Sequence, residues 1–228
     1  MYNFMSYLIK FGDKKWIEKL QNGEIFMQPF KYYRDLELKQ MKKGQGDKHE
    51  VMLYSTKPGG TIRLVGSNKE SQILSFALKH EDDEKYLTCC FYNVDDKRLI
   101  IKEPTNSNYK LINFTDDEKK EFSEWGDTAL IINKEKFIER LDSYLIPNKI
   151  RALANKVFYY NPNNPPENCI KAHTEVLDAR FFWKEEFFTN QNEYRIILDQ
   201  KNDVGKVVAS IGNINDISIC VRREDILK

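Results

Sequence analysis

The stretch YLTCCFYNV, residues 86–94, decides the fold. It is strongly apolar, and continuous apolar runs of this length are typical of strands that are covered on both faces. We therefore expect it to lie in the centre of a sheet, with the adjacent Cys89 and Cys90 pointing to opposite faces. Other strand candidates surround it along the chain: MSYLIKF at 5–11, EIFMQP at 24–29, EVMLYST at 50–56, TIRLVG at 61–66, ILSFAL at 73–78, RLIIKE at 98–103, TALIIN at 128–133, EYRIIL at 193–198 and KVVASIG at 206–212.

Helical patterns alternate irregularly with these strands. A helix is predicted at 13–23, with Gly23 as its C-terminal cap. Its apolar face carries Trp16, Ile17 and Leu20. A second helix follows Thr115, a typical N-cap residue before an acidic first turn. A third is predicted at 133–145, where apolar residues recur at helical intervals.

The last third of the chain completes the predicted architecture. We expect a short helix around 175–182, and we interpret the run FFWKEEFF at 181–188 as a packing helix or its end. The run NPNNPPEN at 161–168 is too short for a domain linker and is predicted to be a surface loop. Together the elements indicate an α+β fold with a mixed, largely antiparallel central sheet, in a single globular domain over 1–228.

Composition limits the kinds of partner. The 228 residues are 41% hydrophobic and carry a formal net charge of +1, so no overall field favours nucleic acid or an anionic membrane. No run approaches the length of a membrane span, and the first residues do not resemble a signal peptide. We therefore expect a cytoplasmic protein without membrane contact, with four reduced cysteines. Lysine clusters beside aromatic residues, as in NKIRALANKVFYY at 148–160, leave nucleic acid open as a partner.

The segment QNEYR contains the first candidate site. Gln191 and Glu193 are two residues apart at the start of a strand, so their side chains are expected to share a face. Glu193 could then stabilise an oxocarbenium-like centre while Gln191 orients an acceptor. The alternative interpretation is an exposed ion pair between Glu193 and Arg195, which would contribute little stability.

The segment GQGDKHE contains weaker candidates for a metal site. Asp47 and Glu50 flank His49, and oxygen and imidazole ligands together suit a divalent cation. The alternative is a solvated charged loop. Elsewhere the sequence has no phosphate-binding glycine motif and no nucleophile motif that accompanies its three histidines.

Several separated segments together resemble a known family. They are YLIKFG, LQNGEIFMQPFKYYRDLE, GDKHE, LTCCFYN, FSEWGDTALIINKEKF and FFWKEEFFTNQNEYRIIL. The pattern resembles an uncharacterised prokaryotic domain family that is linked to abortive infection and to phage genes. This resemblance implies a role in phage–host conflict, as defence or anti-defence, and it implies no particular reaction.

The layout is also similar, more distantly, to the ADP-ribosyltransferase fold. Gln191 and Glu193 match the Q-x-E spacing of that fold. The resemblance implies NAD as cofactor, Glu193 as the catalytic carboxylate, and Tyr32 or Tyr33 stacked on nicotinamide. Lys10 stands where that fold carries a histidine or arginine.

Two functional hypotheses follow. The first is a phage–host conflict protein that binds a protein or nucleotide ligand through an aromatic-lined cleft. Its expected ligand-binding residues are Lys10, Tyr32, Tyr33, Trp125 and Arg195. The alternative is an ADP-ribosyltransferase-like enzyme that uses NAD, with Glu193 and Gln191 at its catalytic centre.

Overall fold

A computed structural model describes residues 6–41, 44–56, 61–63, 70–94, 98, 112–176 and 178–228. It confirms the predicted α+β class, with a large antiparallel sheet. The elements are β1 (Tyr7–Gly12), α1 (Lys14–Gln21), β2 (Glu24–Pro29), α2 (Phe30–Gln40), β3 (Leu53–Ser55), β4 (Thr61–Arg63), β5 (Glu70–Gln72), β6 (Phe76–Leu78), β7 (Tyr86–Val94), α3 (Asp116–Phe122), β8 (Thr128–Asn133), α4 (Lys134–Leu145), β9 (Ala152–Lys156), β10 (Phe158–Tyr160), α5 (Glu167–Thr174), β11 (Trp183–Glu185), β12 (Glu193–Lys201), β13 (Lys206–Ser210), β14 (Ser218–Arg222) and α6 (Arg223–Ile226).

Strand β7 lies in the centre of the large sheet, as its apolar sequence predicts. One edge of β7 pairs with β12 along most of its length, from Tyr86 to Tyr92. The opposite edge pairs with two strands, because β2 contacts Leu87 and Thr88 while β1 contacts the end from Tyr92 onward. Among the described strands, none pairs with 89–91 on that edge. Strands β1 and β2 therefore diverge beside the middle of β7 and leave an opening there.

The rest of the sheet extends outward from these three partners. Strand β1 continues to β8 and β14, β2 continues to β13, and β12 continues to β9, all in antiparallel pairing. The sheet is thus undivided on the β12 side and split into two branches on the other side. Strands β10 and β11 form a separate parallel pair.

Both faces of the sheet are covered, since alternate residues of one strand enter different clusters. On one face Leu8 and Leu130 pack with Ile17 of α1 and Phe137 of α4. On the other face Ile9 and Ile131 belong to an aromatic cluster with Phe11, Phe114 and Phe122. Helix α3 supplies Phe122, whose ring stacks on that of Phe11 at 4.6 Å.

The predicted ends of the helices are confirmed. Gly23 follows α1 with φ +90°, and a side chain there would overlap the backbone of Gly212, so only glycine fits. Thr115 caps α3 in a reciprocal capping box with Glu118. Asn133 caps α4 through its side chain. Trp16 differs from its prediction, because it is 51% exposed while Ile17 and Leu20 of the same helix are buried.

The prediction of a helix at 181–188 is wrong. The segment forms a 3₁₀ turn at Ala179–Phe182, strand β11, and a second 3₁₀ turn at Glu186–Gln191. Four consecutive residues, Phe181 to Lys184, are buried, and an α-helix would turn at least one of them to solvent. Pairing of β11 with β10 buries them instead.

Other predictions for this region need smaller corrections. The expected helix at 175–182 is replaced by α5, which begins directly after Pro166 and ends at Thr174. The predicted loop at 161–168 therefore ends two residues early, since Glu167 is already helical. The predicted strand at 98–103 lies outside the described residues except for Arg98. Within the described part of the chain, no helix is long and apolar enough to cross a membrane.

Candidate functional site

A cavity of about 520 Å³ lies at the opening between β1 and β2, and we call it the central cavity. Its volume is within the range of small-molecule sites in proteins. Seven residues proposed from the sequence as catalytic or ligand-binding line it together: Lys10, Tyr32, Tyr33, Trp125, Gln191, Glu193 and Arg195. They come from β1, α2, the segment after α3, and the region around the start of β12.

Aromatic rings form much of the cavity wall. The rings belong to Phe11, Trp16, Phe30, Tyr32, Tyr33, Phe91, Tyr92 and Trp125. Several are fixed by neighbours: Tyr32 and Tyr33 meet edge to face at 5.3 Å, and Trp125 meets Phe122 in the same way at 5.1 Å. The wall therefore offers planar, apolar surfaces, several of which pack against a second ring.

Arg195 is the centre of a buried ion-pair network at the cavity floor. Its Nε donates a short hydrogen bond to Glu193 Oε1, and Nη2 donates to Glu50 Oε1 at 2.6 Å. Nη1 donates to the carbonyl of Phe181 at 2.7 Å. Arg195 is only 1% exposed and Glu193 only 5%. The sequence alternative of an exposed Glu193–Arg195 pair is therefore wrong, because the pair exists but is buried.

Lys184 is a member of this network that the sequence analysis missed. Its Nζ donates to Glu193 Oε2 at 3.2 Å and to Gln191 Oε1 at 3.0 Å, and it lies 3.7 Å from Glu50 Oε2. One signal was present in the sequence, namely a lysine within the apolar run FFWK. A lysine buried in such a run requires acidic partners.

Gln191 connects the floor to the surrounding loops. Its Nε2 donates to the carbonyl of Gly44 at 2.6 Å and to Glu121 Oε1 at 2.8 Å. Gln191 and Glu193 both line the cavity, as their spacing predicted, although Gln191 belongs to a 3₁₀ turn and not to the strand. Lys184 holds their two side chains side by side.

The electrostatics of the floor keep Glu193 ionised. Burial alone would raise the pKa of Glu193, but the charges of Arg195 and Lys184 together outweigh burial and hold its pKa well below the usual range. The two carboxylates of Glu193 and Glu50 are thus matched by two cations. The floor is polar, ionised and close to electrically neutral.

Cys90 and Lys10 meet at the unpaired edge of β7. Lys10 Nζ donates to the carbonyl of Cys90 at 2.7 Å, so it satisfies a backbone group that a neighbouring strand would otherwise bind. The Cys90 thiol is half-buried and lines the central cavity, whereas Cys89 points to the opposite face and is buried there. Burial, and then the charge of Glu193, raise the pKa of the Cys90 thiol.

The weak metal candidates have separate partners. Asp47 Oδ1 accepts from the His49 backbone N–H at 2.9 Å, and Glu50 pairs with Arg195. The His49 ring pairs with Glu185. In the described ranges, no three His, Cys, Asp or Glu side chains form a group suited to a metal ion. Asp47 is buried, and burial followed by the charge of Glu50 raises its pKa to about 8.

The basic and aromatic cluster at 148–160 is partly neutralised. Arg151 forms ion pairs with Asp178 and Asp199.

No protein-family model matches the chain, and comparison with curated proteins and with solved structures gives no significant match. The function is therefore inferred from the residues of the cavity.

Proposed function

We propose that the chain binds a nucleotide-sized ligand in the central cavity. One observation carries this proposal: the seven residues chosen from separate parts of the sequence line a single cavity. A concave site with aromatic walls and a few polar groups that converge on it is the usual form of a small-molecule site. Trp125 and the two tyrosines would hold a planar ring.

The charges of the site indicate how such a ligand would lie. The floor is balanced between Glu193 and Glu50 on one side and Arg195 and Lys184 on the other. A balanced polar floor suits hydroxyl and amide groups, which both donate and accept hydrogen bonds. A phosphate would contact Lys10 Nζ, since Lys10 is a cation of the lining that forms no ion pair among the described residues.

The biological setting in this proposal is phage–host conflict, as defence or anti-defence. Its support is the sequence resemblance described above. A cavity that binds a nucleotide could serve either side of such a conflict. A defence protein would sense a nucleotide signal, and an anti-defence protein would sequester it. A protein partner at the same cleft stays a prediction.

A second candidate is an ADP-ribosyltransferase-like enzyme that uses NAD. Its support is that Glu193 lines the same cavity as Tyr32 and Tyr33, with its carboxylate held ionised by Arg195 and Lys184. In that reaction the bond between the ribose and nicotinamide breaks, and its electron pair leaves with neutral nicotinamide. The ionised Glu193 would stabilise the positive charge on the ribose until an acceptor or water attacks and loses a proton.

Calorimetric titration with AMP, ATP, ADP-ribose and NAD tests the binding proposal. We expect at least one ligand to bind wild type, and Glu193→Gln and Trp125→Ala to weaken binding about tenfold or more. Asp83→Asn is the matched control, because it disturbs a buried ion pair with Arg180 that lies outside the cavity. Equal weakening in Asp83→Asn, or no binding of any ligand by wild type, would contradict the proposal.

Consumption of NAD separates the two candidates. If wild type consumes NAD and Glu193→Gln binds it without consuming it, the enzyme interpretation is supported. If both proteins bind a nucleotide and neither consumes NAD in the presence of cell extract, the site is a binding site only.

A further inference from the structure

A second cavity of about 380 Å³ adjoins the central cavity, and we call it the outer cavity. Lys10, Trp16, Tyr32 and Tyr33 line both. The outer cavity lies on the side of α1 and β2, and its lining there includes Lys19, Glu24, Phe26 and Val207. None of these last four residues lines the central cavity.

The rim of the outer cavity exposes large apolar side chains. Trp16 is 51% exposed, Phe26 42% and Val207 50%. The Trp16 and Phe26 rings are 6.3 Å apart, and Phe26 and Val207 are register partners on β2 and β13. The three side chains thus form one continuous patch. Exposed apolar patches of this kind are typical of binding surfaces.

Lysine side chains surround the exposed tryptophan. The ammonium groups of Lys15 and Lys19 lie 5.2 and 5.1 Å from the centre of the Trp16 ring. Among the described residues, no carboxylate lies within ion-pair distance of Lys15, and Lys19 has only a distant partner, Glu24 at 3.9 Å. The charge therefore differs between the two cavities, since the central cavity contains carboxylates that balance its cations.

We infer that the outer cavity and its rim bind single-stranded nucleic acid. A base would stack on Trp16, and Lys15 and Lys19 would contact phosphates. Exposed aromatic rings between lysines are the combination that single strands use, because every base has a face to stack and every linkage a negative charge. Stacking of a base on an aromatic ring contributes more binding free energy than an exposed contact between a lysine and the same ring. A base would therefore replace one lysine ammonium group at the Trp16 ring, and that ammonium group would move to a phosphate. A duplex would bind more weakly, because its bases are already stacked and offer no free face to Trp16.

Fluorescence anisotropy with a labelled 15-nucleotide dT strand tests this inference. We expect wild type to bind the strand at low salt, with an affinity that falls as salt rises. The double variant Lys15→Glu/Lys19→Glu and the variant Trp16→Ala should each bind about tenfold more weakly or worse. The matched control is Lys120→Glu/Lys136→Glu, which makes the same charge change on exposed residues of α3 and α4 and should bind as wild type does.

Three results would overturn the inference. The first is no binding of the strand by wild type, and the second is equal loss in the control variant. The third is equal affinity for a duplex or for polyglutamate of the same length, which would indicate a general preference for anions or for an acidic protein. Glu193→Gln should keep wild-type affinity for the strand, so failure here is distinguishable from failure of the ligand proposal for the central cavity.

Discussion

Arg195 is the residue on which the site depends most. It is among the largest fully buried side chains in the part of the chain that the structure describes, and it pairs with both Glu193 of β12 and Glu50 of a distant loop. Charges buried to this extent are tolerated only when each has a partner. The network thus holds the side chains of the cavity floor in one arrangement.

Replacement of Arg195 should therefore destabilise the fold strongly. We expect Arg195→Met to lower the free energy of unfolding by about 3–5 kcal/mol, because Glu193 and Glu50 lose their shared partner. Urea unfolding measures the change. Arg151→Met is the matched control, since Arg151 also pairs with two carboxylates but at the surface, and it should change stability little. Similar losses in both variants would contradict this account of the network.

Asp47 should make the stability of the fold depend on pH, with a sign opposite to that expected for most carboxylates. Its pKa is raised to about 8 in the folded protein, so between its ordinary pKa and 8 the folded state holds a proton that the unfolded state has lost. The contribution of protonated Asp47 to stability is therefore present at low pH and is lost as the pH rises towards 8.

Asp47→Asn removes this dependence, because the amide keeps an oxygen for the His49 N–H and does not titrate. Urea unfolding from pH 5 to 9 should show wild type losing stability relative to the variant, by up to about 1.4 kcal/mol per pH unit. The difference should become constant above pH 8. A difference that does not change with pH would contradict the shifted pKa of Asp47.

At the scale of elements, helix α3 begins at the Thr115 cap and ends beside the central cavity. The capping box of Thr115 and Glu118 starts the helix, and its last turn carries Glu121, which binds Gln191 of the floor. The segment that follows contributes Trp125 and Gly126 to the cavity wall. Gly126 has φ +73°, and a side chain there would overlap the backbone of Gly12.

Loss of the cap should therefore affect both stability and the site. We expect Thr115→Ala to lower stability by about 1 kcal/mol and to weaken ligand binding in the central cavity, since α3 positions Glu121 and Trp125. Thr174→Ala is the control, because Thr174 is exposed and its hydroxyl donates to the carbonyl of Ile170 within its own helix α5, away from the cavity. A wild-type affinity in a destabilised Thr115→Ala protein would show that α3 does not position the wall.

The elements show how much of the fold the sequence could predict. Periodicity and caps gave α1, α3, α4, β7, β8 and β12, because their signals are local. The segment 181–191 was misassigned because its burial depends on β10, a partner more than 20 residues away. The ion-pair network of the floor could not be predicted for the same reason. Glu50, Lys184 and Glu193 meet only through tertiary structure, and their spacing along the chain does not indicate that contact.

At the scale of the whole molecule, the central feature is the split edge of β7. Two strands share that edge and diverge, so residues 89–91 line the central and outer cavities and do not pair with any described strand on that side. Residues that line the central cavity come from six regions of the chain: 9–16, 30–36, 44–50, 90–92, 124–126 and 184–195. The sequence predicted seven of these residues individually as catalytic or ligand-binding, but not the opening that brings them together.

Alkylation of Cys90 tests the central claim most directly, because its thiol lines the central cavity while Cys220 is exposed elsewhere. Wild-type protein would be treated with excess N-ethylmaleimide at about pH 8.5, for long enough that Cys90 reacts in the absence of ligand despite its raised pKa. The same treatment would be repeated with a nucleotide that binds in the calorimetric titration. Mass spectrometry would follow each cysteine. We predict that the bound nucleotide slows modification of Cys90 about tenfold or more and leaves Cys220 unchanged. Modification of Cys90 at the same rate with the nucleotide bound would contradict the assignment of the cavity as the ligand site.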